Sequence, residues 1–509
     1  MFWADRIAQE VKERFGAKPV LVRDEKTLSG RVHVGSMRGV AIHGAVFEAL
    51  REQGADATFK YEFNDFDPMD DIPSYLDQTL YQEHLGKPLY QIPAPAGSTA
   101  KNYAEHFGAE FNQVIEGAGF TPEFYRATEL YLSGTMDPII REALDGAAAI
   151  IRIQKEVSGS ERKPTWLPVS VICPQCGKMT TTDATDWDGE TVLVNCYPTK
   201  VEYTKGCGFE GRVSPFGGTA KLFWKADWPA KWKALGVDVE GGGKDHSTKG
   251  GSRDVANHIA TEVYHYEPPF DIPYEFFLVG GQKMSSSKGR GSSAAEIAEL
   301  MPAKIFRLAL LGKDYNQQTN FDPEGDTLPV LYDQYDKLAA GYWAGTKDDY
   351  ARLFELIHPK TRTSDVRVLP QQSTLPRFSQ VAFMVQMPHM SLAKEFADAD
   401  PQELAERAAY AKKWLAEYAP EKFVFKLQDS MPAVELADTQ KTNLKQILDF
   451  LTTKSDATAE ELHTKLHELK AFKEIYLIFL GKDHGPKAGW FISSLPRDFV
   501  LKRLEEAAK

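Results

Sequence analysis

The chain has 509 residues, 42% of them hydrophobic and 26% charged, with a formal net charge of −12. That length exceeds a single core and predicts roughly three or four domains of ordinary globular composition. The acidic balance weighs against nucleic acid as a partner without excluding it, because a local basic surface still neutralises phosphates. Four cysteines in a chain this long make no disulfide framework, and no apolar run approaches the length of a membrane span, so a cytoplasmic protein is expected.

The N-terminal stretch MFWADRIAQEVKERF puts Trp3, Ile7 and Val11 on one face of an amphipathic helix, a pattern unlike a signal peptide. Pro19 to Arg23 predicts a short buried strand. The loop DEKTLSGRVHVGS then leads into a helix from about Met37 to Gln53. Thr58 to Phe63 predicts a second strand, ending in the acidic loop NDFDPMDDIP. Strand, glycine-containing loop, helix and strand open a Rossmann-like parallel α/β unit. Ligands of such sheets bind outside the carboxyl ends of the strands, where His33 falls.

A long insertion is expected over 77–230. It begins with Tyr-rich helical stretches (SYLDQTLYQEHL, AEHFGAEFNQVIEGAG, EFYRATELYLSG) and ends in a β-rich module, about 168–215, holding all four cysteines. The α/β pattern resumes with a strand at Val237 to Glu240, the loop GGGKDHSTKGG and a helix at Arg253 to Tyr264. PYEFFLVGG then predicts a strand running into QKMSSSKGRG. From about Leu353 onward the pattern is helical. The expected order is a catalytic domain in two halves (1–76 and 231–292) around the insertion, a connecting region (293–350) and an all-α domain (351–509).

Three loops carry the chemistry. In Ser29–Ser36, Gly30 and Gly35 let backbone approach a nucleotide, and the following helix offers free N–H groups. In Gly241–His246, three glycines leave room for an adenosine, Asp245 suits ribose hydroxyls, and His246 faces an adjoining pocket. Lys283-Met284-Ser285-Ser286-Ser287-Lys288-Gly289, after an apolar strand, describes a phosphate-seeking loop. Cys173-Pro174-Gln175-Cys176 is half of a zinc knuckle. Cys196 and Cys207 complete a four-thiolate set with irregular spacing, so the expected zinc is structural. Asp65 at the second strand end, and Trp224, Tyr274 and Glu275 beside the later loops, suit a cationic substrate through counter-charge and cation–π contact. Lys482, Lys487 and Trp490 lie in a basic, aromatic Gly/Pro stretch suited to phosphate and base contact, or equally to joining two helices.

SGRVHVGSMRG resembles the HIGH signature of class I aminoacyl-tRNA synthetases, with Ser36 where a second His commonly stands, and QKMSSSKGRG resembles their KMSKS signature. With NDFDPMDDIP, CPQCG, GGGKDHSTKGGS and PYEFFLVGG, the chain is similar to the class I lysyl-tRNA synthetases from about Pro19 to Arg307. The similarity is looser through the C-terminus, which resembles an α-helix cage. It implies ATP-dependent, magnesium-assisted formation of lysyl-adenylate and transfer to tRNA-Lys, with tRNA bound before activation; the sequence leaves oligomeric state open, a monomer being favoured. It also implies roles for His33, Ser36, Lys283 and Lys288 at the phosphates. Gly30, Gly35, Gly243, Asp245, Met284, Ser285 and Ser287 would hold ATP. Gly30, Asp65, Trp224, His246, Tyr274 and Glu275 would hold lysine, and Lys482, Lys487 and Trp490 tRNA. An arginyl- or glutamyl-specific relative, a non-charging tRNA-binding protein and a nucleotidyltransferase remain the alternatives at this point.

Overall fold

The computed structural model of the chain describes residues 1–281, 293–360, 366–387 and 390–509. It divides into two compact units, one of Met1–Phe321 with Gly341–Leu369, the other of Asp322–Ala340 with Pro370–Lys509. Among the described residues no helix is long and apolar enough to cross a membrane.

The first unit is built on parallel strands. β1 (Val20–Thr27) pairs in parallel with β2 (Ala57–Asn64), which pairs in parallel with β3 (Glu123–Arg126). On the other side of β1, Val22 bridges Val239 and Val239 bridges Phe270, both in parallel. β1 starts apolar and ends charged: Val20 and Val22 are buried core, whereas Arg23 and Glu25 turn into ionic contacts. Its carboxyl end, with that of β2, therefore delivers charge to one edge of the sheet.

Between β1 and β2 runs α1 (Met37–Glu52), buried over nearly its whole surface. Small residues permit this, since a methyl group on Gly44 would come within 2.5 Å of the Phe120 ring. Later in the unit, β4 (Gly242–Gly243) pairs in parallel with β5 (Pro273–Tyr274), and β6 (Phe277–Val279) with β7 (Thr319–Phe321).

The stretch EFYRATELYLSG is not helical throughout. Glu123–Arg126 is the strand β3, and the helix begins only at Ala127. Tyr125 explains the change: in register with Glu62, its hydroxyl donates to Glu62 (2.8 Å) and accepts from Arg23 Nε (2.7 Å). Buried polar partners across the sheet outweigh the local pattern.

In the second unit, helices Pro401–Glu417, Asp438–Thr453, Ala459–Leu469 and Arg497–Ala507 form where the periodicity places them. Phe472–Leu480 and Ala488–Ser494 are helical as well, so the basic, aromatic stretch is a loop only as far as Lys487. Ile447, Leu466, Ile475, Phe479 and Phe491 are central to its core.

Candidate active site

A cleft of about 780 Å³ opens at the carboxyl ends of β1, β2 and β4. His33, Gly35, Ser36, Trp224, Gly243, Asp245, His246 and Tyr274 all line it. Two loops far apart in sequence are thus brought to one opening. Gly35 is needed for this: a methyl group there would lie 2.9 Å from His33 Nδ1 and 3.1 Å from the Phe277 carbonyl oxygen. At Gly241 a methyl group would fall 2.2 Å from the Ile272 carbonyl oxygen, so backbone packs directly on backbone.

One wall is aromatic. Trp224 stacks on Trp228 with centroids 5.8 Å apart, and His246 meets both rings edge-on at 5.6 and 5.9 Å. Tyr274 closes the wall, its hydroxyl pushed well above the usual range by burial.

The floor is an ion network. Arg23 binds Glu25 (2.5 Å), Glu62 (2.6 Å) and Glu240 (2.6 Å). Lys231 touches Glu62 and lies 3.0 Å from Asp227. Lys221 lies 2.9 Å from Asp227 and 2.7 Å from Asp67. Five carboxylates (Glu25, Glu62, Asp67, Asp227, Glu240) thus surround three cations (Arg23, Lys221, Lys231), a formal surplus of two negative charges. Burial resists ionisation of Glu25, Asp227, Glu240 and the three cations, and the neighbours decide. Against that burial, Lys231 and Arg23 hold the Glu25 carboxyl down at about 2, and Lys221 with Lys231 hold Asp227 below the ordinary range. Glu240 stays raised by its burial even with Arg23 beside it.

Not every expected residue faces the cleft. Gly30 is buried in the turn behind His33, outside the lining. The Asp65 carboxylate accepts from the Thr128 amide (2.9 Å) and hydroxyl (2.7 Å), while Asp67, two residues on, reaches the cleft. Glu275 pairs with Lys244 at 2.7 Å, away from the lining.

A family profile described as tRNA synthetases class I (K) matches residues 1–360. The chain belongs to that family. A lysine--tRNA ligase from Methanosarcina barkeri (strain Fusaro) is 34% identical over 99% of this chain and 97% of its own. One from Archaeoglobus fulgidus is 31% identical over 100% of both. A glutamate-tRNA synthetase structure from Elizabethkingia anophelis covers 96% of this chain and 100% of its own at 13% identity, with a TM-score of 0.45.

The second signature of this class I synthetase, with Lys283, Met284, Ser285, Ser287 and Lys288, lies outside the described residues. Its four cysteines do converge. Cys173 and Cys207 sulfurs are 3.5 Å apart, Cys176 and Cys196 sulfurs 3.7 Å, and all four lie within 4.8 Å of one another. Disulfide sulfurs sit at about 2.05 Å, whereas zinc–sulfur bonds of about 2.3 Å set tetrahedral edges near 3.8 Å, so the donor set fits zinc. Gly206 is required where it stands, because a methyl group would lie 2.8 Å from Cys196 Sγ.

In the second unit, Lys487 and Trp490 border a cavity of about 470 Å³ together with Arg377, Lys422, Phe425 and Phe491. Lys487 Nζ lies 4.8 Å above the Trp490 ring, and Lys482 lies 5.7 Å from the Phe425 ring beside it.

Reading the sequence missed the ion network and Trp228. One signal was available, because WKADWPAKW sets Trp224 and Trp228, and Asp227 and Lys231, four residues apart on one helix.

Proposed function

We propose that the cleft activates L-lysine with ATP and charges tRNA-Lys. A lysine carboxylate oxygen bonds to the α-phosphorus of ATP, the α–β bridging bond breaks, and pyrophosphate leaves. A hydroxyl of the terminal adenosine of tRNA then attacks the lysyl carbonyl and releases AMP. No protein nucleophile takes part; the chain positions reactants and stabilises developing charge. His33 and Ser36 serve the phosphates, joined by Lys283 and Lys288, with Met284, Ser285 and Ser287 shaping that loop. Gly35, Gly243 and Asp245 hold the adenosine.

The observation that carries lysine over glutamate is the surplus of two negative charges under an aromatic wall. A lysine ε-ammonium above the floor supplies missing positive charge, while Trp224, His246 and Tyr274 flank its methylenes. A glutamate side chain would add a further negative charge. Gly30 shapes the turn behind that pocket. Asp65 and Glu275 are thereby replaced as counter-charge by the floor group Glu25, Asp67 and Glu240.

Magnesium comes with ATP and neutralises its phosphates. Zinc on Cys173, Cys176, Cys196 and Cys207 braces the inserted module as a zinc-ribbon-like structural site. Lys482, Lys487 and Trp490 contact tRNA, with an unstacked base suiting the cavity they border. We place the protein in the cytoplasm as a monomer that needs tRNA for activation. ATP–pyrophosphate exchange with lysine, with and without tRNA, tests the reading. Exchange that depends on both lysine and tRNA is expected; exchange driven by glutamate would overturn it. Metal analysis of the purified protein should find one zinc per chain, and a Cys176→Ser, Cys207→Ser variant should lose it.

A further inference from the structure

His43 lies in the middle of α1, fully buried, and belongs to none of the signature loops. Its Nδ1 is 2.8 Å from the carbonyl oxygen of Gly39, one turn back, and its Nε2 is 2.8 Å from the amide nitrogen of Gly241. A backbone N–H can only donate, so Nε2 carries the lone pair and Nδ1 the proton. Asp24 lies 3.5 Å from Nδ1, and Tyr274 presents its ring edge-on at 6.2 Å. Burial opposes a charged imidazole, but Asp24 and the Gly39 carbonyl raise its proton affinity. Asp24 and the Gly39 carbonyl anchor the Nδ1 proton, while the Gly241 N–H, which a protonated Nε2 could not accept, keeps Nε2 as the lone-pair nitrogen.

Gly241 is the first residue of the glycine run that continues through β4 to Asp245. It is buried, and its neighbour Gly242 pairs with Pro273. The His43 ring therefore joins the helix that follows the first signature directly to the start of the loop assigned to adenosine.

We infer that His43 is a positioning residue for ATP: through the Nε2–Gly241 bond it sets the backbone of Gly241–Gly243 at the height at which adenosine fits. This rests on the assignment of Gly243 and Asp245 to adenosine. A buried N–H deprived of its acceptor carries a full desolvation penalty, which the loop relieves by moving.

Two substitutions separate the ring's two bonds. In His43→Gln the side-chain oxygen reaches the place of Nε2 and keeps the Gly241 contact. In His43→Asn the shorter side chain keeps only the Gly39 side. Steady-state ATP–pyrophosphate exchange is measured for both, with lysine and tRNA present, alongside Asp245→Ala. His43→Asn should raise KM for ATP on the order of tenfold, with KM for lysine within about twofold of the parent, and His43→Gln should stay within about threefold for both. An unchanged KM for ATP in His43→Asn would overturn the inference. So would an equal rise in both constants, or a His43→Gln no better than His43→Asn. If Asp245→Ala leaves KM for ATP unmoved while His43→Asn raises it, the ribose assignment fails and the role of His43 stands.

Discussion

Under the cleft, Arg23, Lys221 and Lys231 are 0%, 3% and 0% exposed, and each touches at least two carboxylates. Around the C-terminal cavity, Arg377 and Lys422 are 66% and 55% exposed, and Lys487 sits over an aromatic ring. The first arrangement fixes charge where water cannot screen it, so its sign selects a small ligand. The second leaves charge in solvent, where it attracts a polyanion and yields to salt. On the proposed function, one synthetase chain would meet a single ammonium group and a phosphate backbone by opposite uses of the same side chains.

The sharpest way to break the contrast is to remove a shared carboxylate from the network. Asp227→Asn removes the buried carboxylate that Lys221 and Lys231 share, and urea unfolding should show a loss of about 3 kcal/mol. The matching exposed change, Asp326→Asn opposite Lys422, should cost well under 1 kcal/mol. Next in size is the aromatic wall. Trp224→Ala should raise KM for lysine roughly tenfold in aminoacylation, with KM for ATP little changed.

A pH series sharpens the comparison further. The folded Glu25 carboxyl sits at about 2 against an ordinary 4.5. Its contribution is therefore fully present above pH 4.5 and disappears as pH falls from 4.5 toward 2. The stability gap between parent and Glu25→Gln should narrow across that window, whereas Lys487→Ala should show no such window. The smallest effect belongs to the cavity itself. Lys487→Ala should weaken tRNA binding about threefold and reduce the salt slope by roughly 0.7, the value for one phosphate contact on a single strand.

Much of the cleft was legible in the chain because its loops carry their own chemistry. Glycines that admit backbone, a histidine at a strand end and an aspartate after a glycine run point to nucleotide handling by residue type alone. The floor was not legible, because Arg23, Glu62, Asp227 and Glu240 meet only through the sheet. Asp65 illustrates the limit: of the four aspartates in one acidic loop, the turn sends Asp65 to Thr128 and Asp67 to Lys221. Tyr125 shows the same for the fold, since a residue in a helix-like pattern becomes a strand once Arg23 and Glu62 are beside it. His43 lay in an apolar helix, and its Nε2 meets the Gly241 amide, distant in sequence, only in the fold.

The most direct test of the account is aminoacylation of total tRNA by the purified protein with ATP and magnesium, offering labelled lysine, arginine and glutamate in parallel. The negatively charged floor and aromatic wall predict charging with lysine and none with glutamate. Charging with glutamate, or with arginine in preference to lysine, would contradict the reading of the cleft.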